Sequence, residues 1–174
     1  VGIPDIAYSM ALHNSLQRQE IGAMREYPQE WDSMVDEVCE SENVDRRFKE
    51  LLIAMACHES GYGESRYARK ANNVLNIRCI ITQNKEYENG FRLFDSVTDC
   101  FRSGVYLLAH SRHYTAAREK YFKTGNIQQF ICEAGKVYCP DSEVKGQSAI
   151  WSASVSKIFQ EIERKKADST DNEI

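Results

Sequence analysis

The segment "LLIAMACHESGYGESRYA", Leu51 to Ala68, is almost wholly apolar for seven residues and then turns polar at His58, Glu59 and Ser60 before reaching Gly61. A carboxyl at the end of a buried helix meets two effects that both favour its protonated form. Apolar walls disfavour the charge, and the negative end of the helix dipole disfavours another negative group. Such a carboxyl is a general acid near neutral pH. The run Ser60-Gly61-Tyr62-Gly63 then turns the chain sharply out of the helix, with glycine where a positive φ or the close approach of a ligand is needed.

Hydrophobic periodicity locates the helices around this carboxyl. From Asn43 a capped start leads into Phe48, Leu51, Leu52 and Met55, with Ile53, Ala54, Ala56 and Cys57 on the other faces. A helix apolar nearly all round is central to its domain. Ser96 and Asp99 make the Ser-x-x-Asp start of a second helix, with Phe101, Val105 and Leu108 on one face through about His110. A short helix is predicted over Tyr114 to Phe122. Asn126 caps another that carries Ile127, Phe130, Ile131 and Ala134 and is expected to stop at Gly135. Ser148 opens the last, with Trp151, Val155, Ile158 and Ile162 on one stripe; Trp151 and Trp31 read as core residues. Between the first two core helices, "IRCIITQNKEYENGFRLF" is rich in β-branched and aromatic residues, and Asn89-Gly90 signals a hairpin. The first forty residues read as helical over Ile6 to Met24 and Trp31 to Val38, broken near Pro28.

Composition narrows the function classes. The chain has 174 residues, 42% of them hydrophobic, enough for one domain with a sizeable core. A net charge of -4 and scattered Lys and Arg leave no broad basic footprint, which disfavours a nucleic-acid partner. No apolar run approaches a membrane span, and the first twenty residues lack the pattern of a signal peptide. The four histidines and six cysteines fall at no zinc-finger spacing, so no metal site is implied. The even cysteine count allows three disulfides.

Several ordered motifs carry a resemblance. "HESGYGESRYARKANNVLNI" resembles the E-S-G-W-G-x-S-x-x-A and N-N-L-F-G-I segment of the bacterial glucosaminidases that cleave peptidoglycan, among them flagellar-rod hydrolases, autolysins and Bax-like proteins. "FRLFDSVTDCFRSGVYLLAHSRHYTAAR" resembles that family's F-R-x-Y-x-S stretch, its next helix and the Y-x-x-A that follows. "AGKVYCPD" resembles its G-Y-A-T-D-P element. The matches run in order from about residue 43 to residue 162.

The resemblance implies a mainly α, lysozyme-like α+β fold with a small or shortened β-hairpin lobe facing the central helix across a glycan groove. Residues 1–42 would flank a catalytic domain over 43–165, with a polar tail over 166–174. Glu59 matches the catalytic acid. In the family a second carboxylate lies on the lobe in a T-x-E-Y-x-N-G pattern, and "NKEYENG" puts Glu86 there, with Glu88 as the close rival. Tyr138 matches the tyrosine that steadies the reacting sugar, in a shifted register. Tyr62 replaces the usual tryptophan as a sugar-stacking ring. Asn72, Asn73 and Tyr114 complete the implied substrate-binding set. Asn76 stands where the family has glycine, and asparagine tolerates the left-handed conformation. The implied activity is endo-β-N-acetylglucosaminidase, without a cofactor. The alternatives are a muramidase or lytic transglycosylase, whose G-L-M-Q-type segment is absent here, and a glycan-binding domain that has lost the reaction. A peptidoglycan substrate implies a periplasmic or secreted protein, and from that extracytoplasmic setting at least one disulfide is expected. Delivery as an antibacterial toxin, with an immunity partner, is compatible with these residues.

Overall fold

The computed structural model describes residues 25–79 and 84–173, which form a mainly helical domain with one two-stranded sheet. The helix read over Ile6 to Met24 lies outside the described residues, as does the middle of the β-rich segment, residues 80–83. In chain order the helices are α1 (Glu30–Glu42), α2 (Arg46–Ser60), α3 (Arg66–Ala71), α4 (Val97–His110), α5 (Thr115–Thr124), α6 (Ile127–Tyr138) and α7 (Gln147–Asp171). A 3-10 turn, Arg112–Tyr114, leads into α5, and β1 (Glu86–Glu88) pairs antiparallel with β2 (Phe91–Arg92) between α3 and α4.

The central helix is α2. Leu51 through Cys57 are all buried, so every face of the helix meets another element. It packs against α7 along one side and α1 along another, with α4 also in contact. Its start differs from the sequence expectation. Asp45 is the cap, its carboxylate accepting from the Arg47 N–H at 2.9 Å, while Asn43 closes the preceding helix in the left-handed conformation. The reason is that α1 runs to Glu42, leaving Asn43 to accommodate the reversal between two helices. Trp31, Val35 and Val38 of α1 belong to the core cluster, and Trp31 meets Phe101 of α4 edge to face at 5.6 Å.

Ser96 and Asn126 cap α4 and α6, each accepting from a backbone N–H of the first turn. Gly135, however, does not end α6, which continues to Tyr138. A Cβ at Gly135 would stand 2.5 Å from Ser152 Oγ and 3.1 Å from the Ser148 carbonyl oxygen, so the glycine allows α6 and α7 to close on each other. Helix α7 also outruns its expected end, continuing to Asp171 through residues read as a polar tail.

The hairpin turns at Asn89 (φ 52°) and Gly90 (φ 80°), both left-handed, the geometry that suits an Asn-Gly pair. All six cysteines are free, so the expected disulfide is not formed. Cys39, Cys57 and Cys100 are buried and pack as small apolar groups instead.

Candidate active site

Glu59 lies in the last turn of α2, buried with 9% of its surface exposed. The turn after it is fixed by Ser60, whose hydroxyl donates to the Ala56 carbonyl at 2.6 Å and accepts from the Gly63 N–H at 2.8 Å. Gly61 ends the helix in the left-handed conformation, and Trp31 packs beneath Gly63, where an added Cβ would meet the indole at 3.1 Å. The E-S-G-Y-G run therefore holds the end of α2 in one place.

Both carboxyl oxygens of Glu59 accept from side-chain N–H donors. Trp151 Nε1, from the first turns of α7, reaches Oε1 at 2.8 Å. Asn76 Nδ2 reaches Oε2 at 2.8 Å and also donates to the Glu59 main-chain oxygen at 3.0 Å. Burial pushes the Glu59 pKa from 4.5 up to about 7, opposed by these two hydrogen bonds, which favour the carboxylate. His58 does not contribute a positive charge. Burial pushes it down to about 4, and its ring lies edge-on to Trp151 with centroids 6.4 Å apart.

The segment after α3 places Asn76. Asn73 is fully buried; its Nδ2 donates to the carbonyl oxygens of Ile77 (2.9 Å) and Arg92 (3.0 Å), and its Oδ1 accepts from the Ile77 N–H at 3.0 Å. It thus folds residues 73–77 into a tight loop and ties that loop to β2. Asn72, left-handed at the end of α3, donates to the Phe94 carbonyl at 3.0 Å. The side chains of both asparagines bond to backbone. Tyr138, at the end of α6, donates its hydroxyl to the Leu75 carbonyl and stacks on Trp151 at 5.3 Å. Glu59, Trp151, Tyr138 and the Leu75-Asn76 pair close a circuit of contacts drawn from three helices and a loop. Tyr114 is also buried, and burial together with the charge of Glu59 raises both phenols well above the ordinary tyrosine range. Both keep their protons and stand close enough to feel the acid.

The hairpin carboxylates are held differently. Glu86 is exposed and accepts from the Gly90 N–H across its own turn at 2.6 Å. Glu88 is engaged by Arg66 of α3, with Nη2 to Oε2 at 2.7 Å, which braces the hairpin on that helix. Tyr62 belongs to the core cluster, and the Arg25 guanidinium lies over its ring at 4.9 Å from the centroid. Among the described residues no group of three or more His, Cys, Asp and Glu is placed to hold a metal ion.

A protonated carboxyl near neutral pH, held from both sides at a helix end, can protonate the leaving oxygen of a glycosidic bond. A family model described as mannosyl-glycoprotein endo-beta-N-acetylglucosaminidase matches residues 32–164. The chain belongs to the glucosaminidase family. It is accordingly a glycoside hydrolase. The matched span starts in α1 and ends in α7, so this glucosaminidase domain contains Glu59, Asn76, Tyr138 and Trp151. Among solved structures, it is similar to the catalytic domain of the autolysin Auto from Listeria monocytogenes, with a TM-score of 0.51 and 12% identity over 85% of this chain and 93% of that one. At that identity the likeness is one of fold. No curated protein matches the chain.

Two residues of the site escape a reading of the sequence. Trp151 reads as core, and it is buried at 2%, but its indole N–H is a donor that burial obliges to find a partner. Asn76 reads as a turn residue only. The usable signal for both is the donor inventory: a buried indole and an asparagine in a loop each demand acceptors, and Glu59 is the acceptor they share.

Proposed function

We propose that the chain is an endo-β-N-acetylglucosaminidase that hydrolyses the glycan strand of peptidoglycan, with Glu59 as its general acid. The observation that carries this reading is the Glu59 carboxyl itself, buried at the end of α2, raised to about 7 and gripped by Trp151 and Asn76. Protonated in the resting site, it delivers its proton to the glycosidic oxygen as the bond to the anomeric carbon breaks. The two hydrogen bonds then stabilise the carboxylate left behind.

Cleavage also needs a group acting at the anomeric carbon. In this reading Glu86 is that second carboxylate. Its support is its exposure on the hairpin and its place in the "NKEYENG" motif; it leaves its contact with the Gly90 N–H to act. Glu88 stays with Arg66 and holds the hairpin. Tyr138 and Tyr114 present neutral phenols beside the acid, where a hydroxyl steadies positive charge on the reacting sugar. Asn72 and Asn73 serve the substrate through the backbone they set. Tyr62 acts through the turn it occupies, its ring being covered by Arg25. Peptidoglycan lies outside the cytoplasmic membrane, so the proposed place of action is the periplasm or cell exterior. Among the described residues no helix is long and apolar enough to cross a membrane.

The test is digestion of purified peptidoglycan by the intact chain and by Glu59→Gln, with mass spectrometry of the reduced fragments. Reducing-end N-acetylglucosamine from the intact chain alone is the expected result. Reducing-end N-acetylmuramic acid or its anhydro form would move the assignment to a muramidase or transglycosylase. Binding without release by either protein would make the chain a glycan-binding domain.

A further inference from the structure

Asn76 occupies the left-handed region at φ 52°, a position where glycine is the easier residue, so its side chain is kept at a conformational cost. One end of that side chain is accounted for. Nδ2 donates to two oxygens of Glu59, the main-chain oxygen and Oε2. Those two acceptors also fix which way the amide faces, because the reversed amide would set Oδ1 against the main-chain oxygen, which can only accept.

The other end is not accounted for. Asn76 Oδ1 is buried and has no hydrogen-bond partner among the described residues. A buried acceptor without a donor is unfavourable, and in a native site it calls for a donor from outside the chain, a ligand or a water. Oδ1 is bonded to the same carbon as Nδ2, so it lies beside the carboxyl. The substrate group nearest the scissile bond is the substituent on the neighbouring ring carbon, which in an N-acetylated sugar is the 2-acetamido group. Its N–H can only donate, whereas the sugar hydroxyls also accept; an acceptor without a donor is the complement of that N–H.

Building on the glucosaminidase reading above, we propose that Asn76 is a positioning and specificity residue: Nδ2 holds Glu59 while Oδ1 accepts from the acetamido N–H of the sugar being cleaved. One side chain then sets the acid and recognises the group next to the bond that the acid attacks. A sugar without that donor leaves Oδ1 unpaired at the moment of reaction, and the acid is engaged less productively.

The experiment compares synthetic glycan fragments that carry either the natural 2-acetamido group or a 2-O-acetyl ester, in which oxygen replaces only the N–H. The intact chain is expected to prefer the amide by roughly 10-fold or more in kcat/KM, the scale of one buried hydrogen bond. Asn76→Gly keeps the turn, since glycine accepts the left-handed conformation, and should bring the preference to within about 3-fold of unity by deleting that one bond. Asn76→Asp retains an acceptor and removes the donor to Glu59. It should keep the preference, while the Glu59 carboxyl, followed by carbon-13 NMR of the free protein, titrates at higher pH than in the intact chain. A preference unchanged in Asn76→Gly, or lost equally in Asn76→Asp, overturns the assignment of Asn76 while the hydrolase stands. An intact chain that cleaves neither fragment nor peptidoglycan removes the reading on which the proposal rests.

Discussion

Trp151 Nε1 lies 2.8 Å from Glu59 Oε1 although 92 residues separate them along the chain. The contact joins the start of α7 to the end of α2, the two helices that make up the spine of the core. It also explains how a buried carboxyl is tolerated. Burial disfavours the charged form, and the indole N–H restores part of what water would supply without bringing water in. Tyr138 stacks on the indole and is itself fastened to Leu75, so the ring has little freedom to turn away.

Trp151→Phe keeps an aromatic ring against Tyr138 and deletes the donor together with part of the buried indole. Because that hydrogen bond lowers the Glu59 pKa, its loss should move the acid above its present value of about 7. The group then stays protonated to higher pH, and the alkaline limb of the rate profile should shift upward, while kcat falls by roughly 10-fold as the carboxyl loses its orientation. A pH–rate profile of the variant checks both. An alkaline limb that stays in place would mean that the indole does not act on the ionising group.

Glu86→Gln separates a catalytic carboxylate from a turn residue. The amide oxygen still accepts from the Gly90 N–H, so the hairpin should keep its stability to within about 0.5 kcal/mol. Activity should nonetheless fall by about 100-fold or more if a charged group is needed at the anomeric carbon. Glu88→Gln, which weakens only an exposed ion pair with Arg66, should retain most of its activity. Equal activity in Glu86→Gln and the intact chain would remove Glu86 from the reaction.

Much of this arrangement is legible along the chain, and the rest is hidden for identifiable reasons. Ser96, Asn126 and Asn89-Gly90 act on backbone within a few residues, so their caps and turn follow from local chemistry. The burial of Glu59 follows from the apolar run before it. Gly135 misleads because the same residue type ends a helix or allows two helices to touch, and only the presence of Ser152 across the gap decides which. Asn43 misleads in the same way, since an asparagine can open one helix or close another. The roles of Trp151 and Asn76 lie beyond local reading because Glu59 is brought to them by the packing of α2 and α7, and Asn73, whose bonds to Ile77 are local, meets Arg92 only once β2 is in place.

Gly104 of α4 offers a test of how the loop carrying Asn76 is supported. A Cβ there would stand 2.6 Å from Leu75 Cδ1 and 2.8 Å from Leu52 Cδ2. Both neighbours are fully buried, so Gly104→Ala should destabilise the fold by about 1–3 kcal/mol, the usual cost of overpacking. Leu75 also carries the carbonyl that receives the Tyr138 hydroxyl, so activity measured well below the melting temperature should fall too. Urea denaturation alongside the assay checks the pair of effects. Full activity in a destabilised variant would show that Leu75 can shift without disturbing the acid.

The raised pKa of Glu59 has a consequence for folding whose sign is fixed. In the unfolded chain the carboxyl ionises near its ordinary 4.5, and in the folded protein near 7. Between these values the unfolded chain loses a proton that the folded protein retains. The contribution of Glu59 to stability is therefore fully present below pH 4.5 and is lost as pH rises through 7. The size of the loss is about 3 kcal/mol if the whole shift is expressed. Glu59→Gln cannot ionise and avoids it. The difference in unfolding free energy between Glu59→Gln and the intact chain, measured by urea denaturation at pH 4 and pH 8, should move in favour of the variant by up to that amount. Other titrating groups largely cancel in that difference because both proteins share them. A difference that stays flat between the two pH values would mean that Glu59 ionises like an exposed carboxylate, and such a group could not serve as a general acid at neutral pH.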